Sequence, residues 1–255
     1  MQWFVQNFGD FMCAFSVPSL NTTPLNKNGI QFYGRRSIRG LKETEKDILN
    51  RVLPQVHLGE ERLLGLLNSP TPLALEIGFG GGEHLAKQAM HHPHGHYIGC
   101  EPFVNGVVSL LRHIDHNQLT NISVYPLDAR LLFLNLPDNC FEEVFLLFPD
   151  PWPKKRHAKR RFIQQTTIKE IWRLLKQGGV FKIATDHPLY QEWVMEQFAS
   201  LEGQNLFHPI HLTFERPCYH TWPKTRYEQK ALEDNRRIAY FTCKKMNFDN
   251  HQLIG

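Results

Sequence analysis

The feature that most constrains this fold is a regular alternation of short apolar runs and amphipathic segments, which begins at residue 72. The apolar runs have the length of strands, and the segments between them repeat their apolar residues at helical spacing. This alternation predicts an α/β fold with a mostly parallel sheet and helices on both faces. Seven strands are expected, at 73–79, 96–102, 122–129, 142–150, 180–186, 209–215 and 237–245. Helices are expected at 83–92, 104–117, 160–179 and 187–201, the third of which would stop at its terminal Gly-Gly pair.

The domain organisation follows from the extent of this pattern. A chain of 255 residues fits one large domain or two small ones, and we predict a single domain over 35–255. Residues 1–34 form an N-terminal extension, for which loose packing and disorder are both open readings. The extension is too polar for a signal peptide or a membrane span, so no membrane partner is expected. The five cysteines are scattered without a CxxC pair, which is typical of a reduced, cytoplasmic protein.

A dense basic stretch lies in a chain whose net charge is only +4. Its sequence, FPDPWPKKRHAKRR at 148–161, holds Asp150 between Pro149 and Pro151, which restrict the backbone on both sides. Trp152 offers a ring on which a base could stack. The cations that follow suit RNA phosphates, and they are Lys154, Lys155, Arg156, Lys159, Arg160 and Arg161. A solvated helix start is the alternative reading, but cations at a helix N-terminus oppose the helix dipole.

A glycine-rich turn follows the first predicted strand. In the sequence EIGFGGGEH, Gly78 and Gly80 allow the backbone to approach a ligand closely. The dinucleotide-binding fingerprint requires a further glycine where Glu83 stands, and a glutamate at a helix start opposes a bound pyrophosphate. Glu76, inside the strand, favours a ligand with a cationic end.

Acids also follow the next two predicted strands. Glu101 lies 21 residues beyond Gly80, where a carboxylate suits the two hydroxyls of a ribose. Asp128 closes the third strand and could accept a hydrogen bond from an adenine amine. With the glycine turn and Glu76, these acids predict S-adenosylmethionine as the cofactor. The alternative reading takes the glycines as turn formers and the acids as solvated loop ends.

Four motifs give the chain a resemblance to a known family. They are EIGFGGG with CEP, the uninterrupted FPDPWPKKRHAKRR, ATD at 184–186 and TRYE at 225–228. The chain resembles the bacterial tRNA (guanine-N7-)-methyltransferases from about residue 35 to its C-terminus. The resemblance implies a class I (Rossmann-like) methyltransferase fold. It also implies methyl transfer from S-adenosylmethionine to N7 of guanosine 46 in the tRNA variable loop, which yields N7-methylguanosine and S-adenosylhomocysteine.

The resemblance also implies roles for single residues. Glu76, Glu101, Asp128 and Asp150 fall on cofactor-binding positions, with Asp150 also at the position of the catalytic residue. The substrate-binding positions fall on Lys154, Asp186, Thr225, Arg226, Tyr227 and Glu228. Lys155, Arg156, Lys159, Arg160 and Arg161 remain the expected RNA contacts. No metal is expected, because HHPHGHY at 91–97 lacks a regular ligand geometry and reads as a polar loop.

The chemistry of guanine sets what such an enzyme must supply. N7 carries a lone pair on the major-groove edge and has no proton to lose, so alignment and electrostatics should dominate over base catalysis. Asp150 and Asp186 are candidates to accept from guanine N1 and N2. Three alternatives stay open: a methyltransferase of the same fold that acts on another RNA base or on an adenine nitrogen, a non-catalytic RNA-binding subunit, and a nucleotide-dependent oxidoreductase. We expect a monomer or a weak homodimer.

Overall fold

The computed structural model describes residues 40–201, 206–217 and 223–246. The predicted extension over 1–34 lies outside these ranges. The chain divides into two compact units, Met1–Leu136 and Pro137–Gly255. The single domain expected over 35–255 stays a prediction, and each unit is described by itself.

The first unit alternates helices with three strands. Its elements are α1 (Glu43–Val56), α2 (Glu60–Leu67), β1 (Leu73–Ile77), α3 (Glu83–His91), β2 (His96–Cys100), α4 (Val104–Asn117), β3 (Ile122–Tyr125) and α5 (Ala129–Phe133). The three strands are buried along their whole length, as expected of a parallel sheet covered on both faces. β2 pairs in parallel with both β1 and β3, and Ile77, Cys100 and Tyr125 share one register position. The carboxyl ends of the three strands therefore meet at one edge.

The second unit carries four strands. Its elements are β4 (Phe141–Leu147), a 3-10 helix (Lys155–Arg160), α6 (Gln165–Leu174), β5 (Leu175–Thr185), α7 (Pro188–Ala199), β6 (His211–Thr213), α8 (Arg226–Glu233) and β7 (Ala239–Lys244). β4 and β5 are parallel, whereas β7 runs antiparallel to both β5 and β6. The seven strands follow the order β3-β2-β1-β4-β5-β7-β6, which confirms the predicted mostly parallel α/β sheet.

Two glycines expected to end a helix lie inside a strand instead. α6 ends at Leu174, and β5 begins at the next residue and includes Gly178 and Gly179. Gly178 has a φ of 73°, and a Cβ on Gly179 would lie 2.9 Å from the carbonyl oxygen of Lys176. The glycines therefore serve an irregular strand start, where the β4–β5 register shifts, and the helix-stop prediction is wrong.

In the part of the chain that the structure describes, two helices lie before residue 72, where the predicted alternation begins. In α1 the buried apolar residues are Ile48, Leu49, Val52, Leu53 and Val56. They recur at helical spacing, so the periodicity needed to find this helix was present before residue 72. The short helices α2, α5 and α8 were not predicted either, because a helix of one or two turns is too short to show a clear apolar periodicity.

Candidate active site

The glycine turn after β1 combines open space with close packing. Gly78 has a φ of 68°, and no described atom lies within 4 Å of where its Cβ would be. Gly82 begins α3 with a φ of 80°, and a Cβ there would lie 2.7 Å from the Cβ of Leu110. A side chain at Gly82 would therefore clash with α4, whereas Gly78 leaves room for a ligand beside the strand end.

Glu101 is held in place by the turn. This carboxylate is 8% exposed. Its Oε2 accepts from the backbone N–H of Gly80 at 2.9 Å, and its Oε1 accepts from that of Phe103 at 2.9 Å. A carboxylate has about four acceptor sites, so these two hydrogen bonds do not by themselves exclude a ligand. The sequence predicted Glu101 as a ligand contact but did not reveal that it also fixes the glycine turn.

Glu76 belongs to a buried polar chain. It is 2% exposed in β1, and its Oε2 lies 2.7 Å from Nδ1 of His84. Nε2 of His84 lies 3.4 Å from Nε2 of Gln88, which is also buried. Neither His84 nor Gln88 was predicted, although their spacing along α3 places them on one helix face.

Asp128 caps α5 and carries a fixed counter-charge. Its Oδ1 accepts from the backbone N–H of Arg130 at 2.9 Å, and its Oδ2 accepts from Nη2 of the same residue at 2.7 Å. Burial raises the pKa of the Cys100 thiol, and the charges of Asp128 and Glu101 raise it further. The thiol is therefore protonated near neutral pH.

The turn after β4 is strained on both sides of Asp150. Phe148 has a φ of 51° and Trp152 a φ of 41°, and such residues cost about 1–3 kcal/mol each. The N–H of Phe148 donates to the carbonyl of Ala184 at 2.8 Å, so the entry to the turn is anchored on β5. Asp150 itself is exposed.

Arg161, one of the expected RNA contacts, is buried against the turn after β4. It is 6% exposed, and its guanidinium donates to the carbonyl of Pro151 at 3.1 Å and to that of Trp152 at 3.2 Å. Its Cζ lies 4.6 Å from the centroid of the Trp193 ring. The guanidinium is thus directed into the protein, and the RNA contact expected of Arg161 stays a prediction.

The other predicted RNA contacts are more accessible. Three of them are exposed, namely Lys155, Arg156 and Lys159, and so is Lys154 at an expected substrate-binding position. Arg160 is half-buried, with its Cζ 5.0 Å from the centroid of the Trp152 ring. Desolvation lowers the pKa of His157, and the charges of Arg160 and Arg156 lower it further. The exposed cations lie in or directly before the 3-10 helix, and they precede α6 rather than begin it.

Asp186 follows β5 and is paired with an arginine. Its Oδ2 accepts from Nη1 of Arg236, and Arg236 also donates to Asp234 at 3.0 Å. The Asp186 side chain is 15% exposed. Arg236 was not predicted, because it lies 50 residues from Asp186 in the chain.

The TRYE motif divides into buried and exposed members. Oγ1 of Thr225 accepts from the N–H of Glu228 at 2.9 Å and so caps α8. Glu228 is 0% exposed, and its Oε1 accepts from the hydroxyl of Tyr240 at 2.9 Å and from Nε of Arg216. Among the described residues, Oε2 of Glu228 has no hydrogen-bond partner. The position of this carboxylate is therefore fixed by the residues packed around it, and the carboxylate does not lie in solvent.

Arg226 and Tyr227 lie on the outer side of the same helix. Both are exposed, and the Cζ of Arg226 lies 5.5 Å from the centroid of the Tyr227 ring. The Tyr227 ring stacks on Phe148 with centroids 6.5 Å apart. The motif is thereby joined to the strained turn that carries Asp150.

Two further features concern metal binding and membrane spans. In the described ranges, no cluster of three or more His, Cys, Asp and Glu side chains could hold a metal ion. Among the helices that the structure describes, none combines the length and apolar character needed to cross a membrane.

The chain is similar in sequence to known methyltransferases. A family model described as "Putative methyltransferase" matches residues 70–241. A tRNA (guanine-N(7)-)-methyltransferase of Zymomonas mobilis is 42% identical over 220 residues, which cover 85% of this chain and 94% of that protein. A protein of the same name from Rhizobium etli is 40% identical over 221 residues, which cover 84% of this chain and 96% of that protein.

Solved structures show similarity of fold at low sequence identity. An antibiotic-related methyltransferase has a TM-score of 0.54 and 16% identity, and the match covers 75% of this chain and 96% of that one. The 16S rRNA methyltransferase KamB has a TM-score of 0.54 and 13% identity, over 74% of this chain and 94% of that one. These matches bear out the predicted class I methyltransferase fold.

Proposed function

The chain belongs to the tRNA (guanine-N7-)-methyltransferase family, and on this premise we propose how its residues methylate N7 of a tRNA guanosine. The methyl donor is S-adenosylmethionine and the target is guanosine 46 of the variable loop. The products are N7-methylguanosine and S-adenosylhomocysteine. A tRNA substrate also implies a cytoplasmic location, and a monomer or weak homodimer remains part of the proposal.

The first unit supplies the groups that bind the donor. Glu101 accepts from the ribose hydroxyls, Asp128 accepts from the adenine amine, and Glu76 faces the cationic amino-acid end. The residues fit this ligand, because a set of carboxylates suits hydroxyl and amine donors and repels polyphosphates. What supports these roles most is the shared register of β1, β2 and β3, which brings the three strand ends to one edge. When bound, S-adenosylmethionine supplies an electrophilic methyl group on a sulfonium.

The second unit supplies the groups that hold the target base. Asp150 is the catalytic residue in the sense that it touches the guanine and offsets positive charge near the sulfonium. Asp150 and Asp186 accept from the N1 and N2 hydrogens, with N7 then presented to the methyl group. No proton leaves N7 during the reaction, so Asp150 positions the base and does not act as a general base.

The tRNA backbone is held by exposed cations. Lys154, Lys155, Arg156 and Lys159 carry the phosphate contacts, and Arg160 contributes beside Trp152. The support is the exposure of Lys154, Lys155, Arg156 and Lys159 next to a fixed turn, since surface cations clustered in this way repel each other without an anionic partner.

A nucleoside analysis tests the proposal directly. Purified protein is incubated with a methyl-labelled donor and unmodified tRNA, and the digested RNA is analysed by mass spectrometry. Label should appear in N7-methylguanosine, and a tRNA with 7-deazaguanine at position 46 should bind without becoming labelled. Label in a different nucleoside would favour the same-fold alternative. Donor binding absent in calorimetry would favour the non-catalytic RNA-binding subunit.

A further inference from the structure

Among the arginines of the basic segment, Arg161 has a distinct environment. Its side chain is buried, and two of its nitrogens donate to the carbonyls of Pro151 and Trp152. These two residues directly follow Asp150. We propose that Arg161 is a positioning residue that fixes the turn after β4 and thereby sets where the Asp150 carboxylate lies. The inference rests on the proposed role of Asp150 in methyl transfer.

The first step of the argument is that the turn needs a clamp. Phe148 and Trp152 both hold positive φ values, which residues with a Cβ rarely adopt unless their surroundings impose them. On the entry side, β5 imposes the backbone conformation, because the N–H of Phe148 donates a hydrogen bond to the carbonyl of Ala184. On the exit side, the described bonds to the carbonyls of Pro151 and Trp152 come from Arg161. Removal of this clamp should let the exit side relax.

The second step is that Arg161 is itself held rigidly. Its guanidinium stacks at 4.6 Å on the ring of Trp193 in α7. The indole N–H of Trp193 donates to the carbonyl of Ile163 at 2.7 Å, so the ring cannot turn away freely. A planar guanidinium that donates two directed hydrogen bonds and stacks on a ring fixes the turn more tightly than a lysine ammonium could.

The third step separates Arg161 from its neighbours. Lys159 is exposed and Arg160 covers the face of Trp152, so neither replaces the bonds to the turn carbonyls. Loss of an exposed cation should change tRNA affinity and its salt dependence. Loss of Arg161 should change the rate of methyl transfer, because misplacement of a reacting group by about 1 Å can cost about 100-fold.

The test compares Arg161→Lys with wild type under saturating donor. The kcat should fall about 10- to 100-fold, while the KM for tRNA and the slope of binding affinity against salt stay within error. Arg173→Lys serves as the matched control, because Arg173 also has fixed carboxylate partners in the same unit but lies on α6 away from the turn. Its kcat should stay within twofold, even if thermal stability falls. An unchanged kcat in Arg161→Lys, or a loss that appears only in the KM for tRNA, would overturn the proposal.

A double-mutant cycle decides whether Arg161 acts through Asp150. In an Asp150→Asn background, the further change Arg161→Lys should lower kcat by less than about threefold. Additive losses would show that Arg161 acts elsewhere. If Arg161→Lys fails to fold, Trp193→Leu replaces it in the cycle. As the only substitution in the protein, Trp193→Leu should lower kcat about threefold. The wild-type rate is measured first: no label in guanosine defeats the proposed function, whereas a normal wild type with an additive cycle defeats only the positioning role.

Discussion

The carboxylate side chains of this protein lie in opposite environments. Glu76 and Glu101 are almost fully buried and have fixed partners in His84 and in the backbone of the glycine turn. Asp150 is exposed, although Phe148 and Trp152 on either side of it have positive φ values. On the proposed roles, buried and fixed carboxylates suit the binding of the donor, whereas an exposed carboxylate suits an incoming base.

Replacing Asp150 with asparagine should abolish most of the activity and spare binding. The amide keeps the shape but loses the charge and can present a donor to the guanine N1–H. We expect kcat to fall by about 100-fold or more, with tRNA affinity reduced far less because the phosphate contacts remain. Asp47→Asn, at an exposed position of α1, should leave both values unchanged. A wild-type kcat in Asp150→Asn would remove this residue from the mechanism.

The change Glu101→Gln should weaken donor binding and loosen the glycine turn. Hydrogen bonds to a charged group are worth about 1.5–3 kcal/mol each, so donor affinity should fall at least about tenfold by calorimetry. The melting temperature should fall as well, because one oxygen no longer accepts from Gly80 or Phe103. Glu61→Gln on α2 is the control, since Glu61 is exposed. Equal donor affinity in Glu101→Gln and wild type would contradict the ribose assignment.

At the scale of elements, the basic segment consists of two parts with different roles. The 3-10 helix from Lys155 to Arg160 presents exposed cations outward. The next residue, Arg161, turns inward and joins the segment to the turn after β4. On the proposed function, a short helix held at its C-terminal end would carry the phosphate contacts at a fixed distance from Asp150.

Removal of the outward cations should change the salt dependence of tRNA binding. In the triple variant Lys155→Ala, Arg156→Ala and Lys159→Ala, each lost phosphate contact should reduce the log–log slope by about 0.7–0.9. Donor affinity should be unchanged, because donor binding involves the first unit. The variant Lys46→Ala with Lys169→Ala removes exposed charges elsewhere and should not change the slope. Filter binding at several salt concentrations provides the measurement, and equal slopes would assign the segment to solvation.

At the scale of the whole molecule, folding stability should depend on pH through a buried histidine. Burial, and to a lesser degree the charge of Arg62, lowers the pKa of His96 from 6.5 to about 4. His96 lies 2.9 Å from the hydroxyl of Ser123 and is neutral in the folded state at pH 7. The unfolded chain thus binds more protons than the folded chain between about pH 4 and pH 6.5.

Stability should therefore fall as the pH drops through this window. The contribution of His96 is fully present above about pH 6.5, and its loss by pH 4 amounts to about 3 kcal/mol. His96→Gln keeps a polar partner for Ser123 but cannot titrate, so its free energy of unfolding should fall less between pH 7 and pH 4.5. Urea unfolding at the two pH values measures the difference. Identical pH dependence in His96→Gln and wild type would contradict the assignment.

Local pattern was enough to predict the strands and the carboxylates at their ends. Apolar runs of strand length and the acids that follow them are adjacent in the chain, so the positions of Glu101, Asp128 and Asp150 after strands could be predicted without knowledge of packing. Helix α1 follows the same rule. Its apolar residues recur at helical spacing, although no helix was predicted before residue 72. Family resemblance added the substrate positions, which spacing alone does not indicate.

Tertiary structure decided the partners of the side chains, because these come from distant parts of the chain. Arg160 and Arg161 are identical in type and adjacent, yet only Arg161 meets a ring that lies 32 residues further on. Gly178 and Gly179 resemble a helix stop locally, but the pairing of β5 with β4 draws them into a strand. A guanidinium or a glycine pair fits several environments equally well in isolation, so the choice among them depends on long-range packing.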